Sequence, residues 1–207
     1  MRIVSYGAVS VVGRRSNQED AFLVKDGTIV VSDGMGGHAS GELASLAVIA
    51  EVERAISSPI IDPIHTIAGA LREADRKCKQ ANDGRGATAT VVVVKDEAAF
   101  IVHAGDTRCY HLKAGNLEQM TRDHGIGFYI DNAVGLLCMT ETHTLKLSPG
   151  DKLVLTSDGV HDALDFDTLR LIVSETDDAQ KAADGLVVEA LAAGSTDNCT
   201  AIVAIVG

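Results

Sequence analysis

The sequence predicts an α+β domain built in layers, with antiparallel sheets covered by helices. Three observations predict it. Strand-like runs come in clusters broken by turn residues. Helical patterns come in pairs after those clusters, not in alternation with single strands. Apolar residues make up 46% of the chain but aromatics only 3%, with no Trp, so the core must be packed from Val, Ile, Leu and Ala. The 207 residues suit one domain, residues 1–207.

Residues 2–12 and 20–24 read as strands around the polar loop GRRSNQED. TIVVS (28–32) is a short apolar strand that stops at Asp33. A helix follows over Ser40–Ile56, with Ser40 as the expected N-cap and Glu42 at its positive end. Leu43, Leu46, Ala47 and Ala50 recur at helical spacing and form its expected apolar side. Pro59 and Pro63 bracket a loop. A second helix, Ile64–Ala81, carries Ile67, Ala68, Leu71, Ala74 and Cys78 on one side and ends at NDGRG. Strands are expected at 87–94, 98–105, 107–113 and 117–121. HTLKL (143–147) and DKLVLTS (151–157) read as a hairpin over SPG. Two helices, 165–174 and 178–193, precede a last strand at 199–206.

Composition excludes several functions. Net charge is −11, which argues against nucleic-acid binding, since that needs a basic face. No apolar run is long enough to span a bilayer, and the first residues lack a signal-peptide layout. The expectation is a soluble intracellular protein. Cys78, Cys109, Cys138 and Cys199 form no CxxC and read as unpaired thiols.

The chemistry lies in carboxylates at strand ends. Asp33 and Asp158 each follow an apolar strand and precede Gly; Asp197 precedes the last strand. Taken singly, each is also an ordinary turn residue. After Asp33, however, the glycines continue through Gly34, Gly36 and Gly37, beyond what a tight turn needs. Carboxylates gathered at one end of facing sheets would repel one another unless a counter-charge is present. Divalent cations meet that need, and hard oxygen donors select Mg²⁺ or Mn²⁺. A carboxylate bridging two ions about 3.5–4 Å apart would let a shared water ionise near neutral pH and attack phosphorus in line. The loop adds Glu19 and Asp20, and Arg14 and Arg15, whose guanidinium groups match phosphate oxygens. HAGDTR places Asp106 in a tight turn between strands, which by itself reads as a hairpin turn.

In this order the segments resemble the metal-dependent Ser/Thr protein phosphatase family, also called PPM or type 2C, in its bacterial form. RRSNQEDAF, VVSDGMGGHASGELAS, GATATVVVV, FIVHAGDTRCYHL, QMTRDH, NAVG, GDKLVLTSDGVHDAL and GSTDNCTAIV carry the likeness across nearly the whole chain. The resemblance implies a four-layer α-β-β-α sandwich, two antiparallel sheets flanked by helix pairs. It implies two core Mn²⁺ or Mg²⁺ ions, with Asp33 bridging, the Gly34 carbonyl on one ion, and Asp158 and Asp197 on the other. Glu19 and Asp20 match acids that hold metal-bound waters, and Asp106 matches a ligand of a third, weaker site. Arg15 matches the phosphate-binding arginine, with Arg14 as the register alternative. Asn198 is expected to support its loop. Eukaryotic members carry a His directly after the D-G pair. Here that place is Met35, and His38 follows as a candidate proton donor to the leaving alkoxide or a histidine that steadies the start of the helix. His103, His124 and His161 are read as structural. One departure stands out: only GIGFYID separates His124 from Asn132, so the family's flap subdomain is essentially missing. Phe128 and Tyr129 then lie at the site edge, toward a partner, or in a plain buried contact.

The implied activity is hydrolysis of phosphoserine and phosphothreonine on proteins, in a bacterial cytoplasm, opposite a Ser/Thr kinase. The alternatives are a pseudo-phosphatase or regulatory binding domain of the same fold, or a phosphatase acting on phosphotyrosine or small molecules.

Overall fold

A computed structural model describes residues 1–35, 40–126 and 129–207. The chain runs β1 (Ile3–Val11), β2 (Ala21–Lys25), β3 (Thr28–Ser32), β4 (Gly34–Met35), α1 (Ser40–Ile56), α2 (Pro63–Ala81), β5 (Gly86–Ala87), β6 (Ala89–Lys95) and β7 (Ala98–Ala104). It continues through β8 (Arg108–Lys113), β9 (Asn116–Gln119), β10 (Gly125–Ile126), β11 (Tyr129–Ile130), β12 (Glu141–Lys146), β13 (Lys152–Thr156), α3 (Asp158–His161), α4 (Phe166–Ser174), α5 (Ala179–Ala192) and β14 (Cys199–Val206). Two five-stranded antiparallel sheets dominate, in the orders β1-β14-β13-β8-β9 and β12-β7-β6-β3-β2.

Strand alternation builds the layers, because successive side chains point to opposite faces. Ile29, Val31, Val92, Ile101, Leu153, Leu155 and Ile202 meet between the two sheets. Their neighbours Val30, Val91 and Val93 pack outward on α1 and α2. On the other side Val154, Ala201 and Val203 pack on α4 and α5. The result is the four-layer α-β-β-α sandwich. Strands buried on both faces explain why they read as unbroken apolar runs.

Local signals place the helix ends. Asp62 caps α2 by accepting the His65 amide, Pro63 takes the first helical position, and Asn82 closes the helix in a left-handed conformation at φ 54°. Asp165 and Asp178 cap α4 and α5 in the same way. Between α1 and α2, Glu51 is buried and bonded by Lys77 and Arg54.

Expectations in three places need correction. On α1 the buried stripe is Ala44, Val48, Val52 and Ile56, while Leu43 and Leu46 are exposed, as is Ala50. The helix is apolar on more than one side, so spacing alone does not choose the stripe; the sheet beneath it does. Ser40 is already helical and not the cap. Second, 143–147 and 151–157 do not form a hairpin. β12 pairs with β7, whereas β13 pairs with β8 and β14, so SPG carries the chain from one sheet to the other. Third, the turn holding Asp106 also crosses between sheets, from β7 to β8, and is not a hairpin turn. Turn residues specify a reversal; which sheet receives the next strand depends on distant pairing. The one-turn α3 was not anticipated.

Because Leu155 lies fully buried between the sheets, Leu155→Ala is expected to cost about 2–5 kcal/mol. Urea unfolding of the purified protein would measure this, with Leu43→Ala as a near-neutral control.

Candidate active site

The crossings bring acids from both sheets to one end of the sandwich. Asp33 follows β3, Asp106 follows β7, Asp158 follows β13, and Asp197 precedes β14. Glu19 and Asp20 precede β2. Each strand is held in register by its neighbours, so each acid leaves the sheet at a defined point.

Hydroxyl groups then orient the acids. The Asp33 amide donates to Thr88 Oγ1 at 2.8 Å, and the Thr88 amide donates back to the Asp33 carbonyl at 2.8 Å. Asp20 is buried, and its Oδ2 accepts from Ser157 Oγ at 2.7 Å and Thr200 Oγ1 at 2.6 Å. Gly34 has no room for a side chain: a Cβ there would lie 2.2 Å from the Gly41 carbonyl oxygen and 2.8 Å from that of Glu19. This close approach accounts for the first glycine after Asp33.

The charges oppose one another. Burial raises the Asp33 carboxyl well above its ordinary range, and Asp20, Asp158 and Asp106 raise it further. Burial pushes Asp20 up to about 7, against the pull of the Thr200 and Ser157 hydroxyls. Asp106 also rises to about 7, through burial and then Asp158. Asp158 is raised by burial and by Asp197. Asp158 is among the neighbours that disfavour an ionised Asp33, so a proton or a cation is needed to offset the two charges. Consistently, Asp20 Oδ1, Asp106 Oδ1 and Asp158 Oδ1 are buried with no hydrogen-bond partner. Among the described residues no three acidic, His or Cys side chains already form one tight ligand set. Orphaned hard oxygens in this arrangement fit divalent Mg²⁺ or Mn²⁺.

Asn198 holds the N-terminal loop against the cluster. Its Oδ1 accepts the Glu19 amide at 2.7 Å, and its Nδ2 donates to the carbonyls of Val12 and Asn17. That loop delivers Arg15, whose guanidinium donates to Asp197 Oδ2 at 2.5 Å while the side chain stays largely exposed. Asp197, Asp158 and Asp33 all raise the Arg15 pKa, which places its charge beside the acids. Arg14 contributes its backbone amide to the Thr196 carbonyl. A cavity of about 370 Å³ opens beside Asp158 and Asp197. A smaller one, about 130 Å³, is lined by Asp106, Arg108, Asp123 and His124.

Other candidates fall elsewhere. Gly36, Gly37, His38 and Phe128 lie outside the described residues. Tyr129 is exposed, so it is not a buried contact. His103 and His161 are buried, and burial lowers both below the ordinary histidine range, which agrees with structural roles. Sequence reading missed the supporting hydroxyls of Thr88, Ser157 and Thr200. Thr88 sits in GATATV, but nothing in that run of small residues distinguishes it from a strand residue.

Comparison with known proteins gives a consistent outcome. The model of the Stage II sporulation protein E (SpoIIE) family matches residues 25–206. The serine/threonine protein phosphatase PstP of Mycobacterium tuberculosis is 29% identical over 98% of this chain, which spans 45% of that relative's length. A solved structure of the catalytic domain of PstP in complex with two manganese ions superposes with a TM-score of 0.91, at 28% identity and 98% coverage of both chains. A solved Pseudomonas aeruginosa structure, described as PppA, a key regulatory component of T6SS, gives a TM-score of 0.90 at 29% identity, again over 98% of each chain.

The raised Asp106 carboxyl carries a pH signature. A folded value of about 7 against an ordinary 3.8 means stability is present at low pH and is lost as pH rises through that window. In EDTA, Asp106→Asn should therefore melt higher than wild type at pH 8, by roughly 5 °C, and the gap should shrink at pH 5. Histidine contributions are common to both proteins and cancel in the difference. A gap that does not change between the two pH values would refute the assignment.

Proposed function

We propose, from the premise that this chain belongs to the Stage II sporulation protein E family of bacterial PPM-type phosphatase domains, that it is a protein serine/threonine phosphatase. The observation that carries this reading is the group of orphaned carboxylate oxygens at the end of the sandwich, with Arg15 beside it. Residues 1–207 would form a single catalytic domain.

Asp33, the Gly34 carbonyl, Asp158 and Asp197 would hold two Mn²⁺ or Mg²⁺ ions, and Asp106 would serve a third. When bound, these ions supply the positive charge that neutralises the acids and the acidity that readies a water for attack on phosphorus. Glu19 and Asp20 would hold waters bound to the metal ions. The Arg15 guanidinium, free to turn because it is largely exposed, would bind phosphoryl oxygens in a fork. His38 would offer a proton to the leaving serine or threonine oxygen. The substrates would be phosphorylated proteins, most naturally those of a Ser/Thr kinase in the same cytoplasm. Among the described residues no helix is long and apolar enough to cross a membrane.

The test is phosphate release from a phosphothreonine peptide with Mn²⁺, set beside EDTA treatment and Asp33→Asn. EDTA should abolish release. Asp33→Asn should lower kcat/KM at least about a hundredfold, since even residues that only support metal ligands cost tenfold or more. Wild-type-like turnover by Asp33→Asn would sink the proposal. Separately, Arg15→Ala should raise KM about 10- to 100-fold, the equivalent of about 1.5–3 kcal/mol for a lost charge-assisted hydrogen bond. Steady-state kinetics on the same peptide would show it.

A further inference from the structure

The turn that presents Asp106 is clamped by a single residue. Gly105 has φ +116°, and a Cβ there would lie 2.5 Å from the Thr88 Cβ. Thr88 in turn is bonded to Asp33. The turn is therefore wedged against the residue that orients Asp33. On its other side both polar backbone groups of Gly105 are taken by His124. The His124 amide donates to the Gly105 carbonyl at 2.8 Å, and the Gly105 amide donates to His124 Nδ1 at 3.2 Å.

The imidazole is locked in turn. Its Nδ1 also faces the Asn132 side-chain amide nitrogen at 2.9 Å. The orientation of that amide is set by Met139, whose N–H donates to Asn132 Oδ1 and whose carbonyl accepts from Nδ2, both at 2.7 Å. With two donors aimed at Nδ1, that atom carries the lone pair, and the proton sits on Nε2. Nε2 faces Glu141 Oε2 at 3.3 Å. His103 packs on the ring at a centroid distance of 4.8 Å. A histidine held at both nitrogens and on one face cannot turn without breaking the turn beside it.

We propose that His124 is a positioning residue. It aims Asp106 at the acid cluster and couples that turn to the Asn132–Glu141 segment, which follows the short GIGFYID connection. The effect on metal binding rests on the reading of Asp106 given above; the clamp itself does not.

The test uses the full chain and the variants His124→Asn, His124→Gln and His124→Ala, alone and with Asp106→Asn. Asn can place an acceptor near the Nδ1 position, and Gln places its amide near Nε2. Amide exchange at Gly105 is read by NMR in the metal-free protein, and Mn²⁺ binding by calorimetry. Gln and Ala should speed Gly105 exchange about tenfold or more, while Asn stays near wild type. Gln and Ala should also weaken the weakest Mn²⁺ step about tenfold, and His124→Ala should add nothing in the Asp106→Asn background. Unchanged Gly105 exchange in Gln and Ala, or Asn behaving like Gln, overturns the proposal. Should His124→Ala fail to fold, the Asn and Gln pair decides alone. If Gly105 exchange responds as expected but neither His124→Gln nor Asp106→Asn alters Mn²⁺ binding, the clamp stands and the metal role of Asp106 falls.

Discussion

Acids from both sheets are held close together and partly out of water, and this crowding governs the end of the molecule where they meet. Burial and mutual repulsion both favour the protonated form, which is why Asp33, Asp20, Asp106 and Asp158 all shift upward. A fold would gain nothing in stability from such a cluster. It is tolerated because the inter-sheet core, built from residues such as Ile29, Leu155 and Ile202, holds the strands whatever their ends carry.

Neutral groups do most of the orienting. The Thr88 hydroxyl accepts from the Asp33 amide, and the Ser157 and Thr200 hydroxyls donate to Asp20, all without cancelling the acids' charge. Asn198 likewise fixes the loop of Glu19 and Asp20 through three backbone contacts. A cation in these places would have satisfied the acids and closed the site. Arg15 is largely exposed and its guanidinium bonds Asp197 at the edge of the cluster, so it remains able to engage another anion.

The crossings between sheets link this electrostatics to the topology. The turn from β7 to β8 carries Asp106 and passes between Thr88 and His124. The segment 147–151 makes the second crossing and leads into β13, whose end carries Asp158. The layered arrangement makes these acids neighbours.

Much of this was legible in the residues alone. Apolar runs marked the strands, NDGRG marked the end of α2, and acids at strand ends marked the candidate site. Those features are local or follow from simple periodicity. What could not be read were choices made by distant partners. The stripe of α1 that faces inward, the sheet that receives β13, the turn at Asp106 and the clamp at His124 all depend on contacts across long sequence separations. The sequence by itself determined that the two SDG segments end strands with a carboxylate. Only the tertiary structure decided that their charges oppose each other, because only the stacking of two sheets brings the end of β3 and the end of β13 to the same end of the molecule.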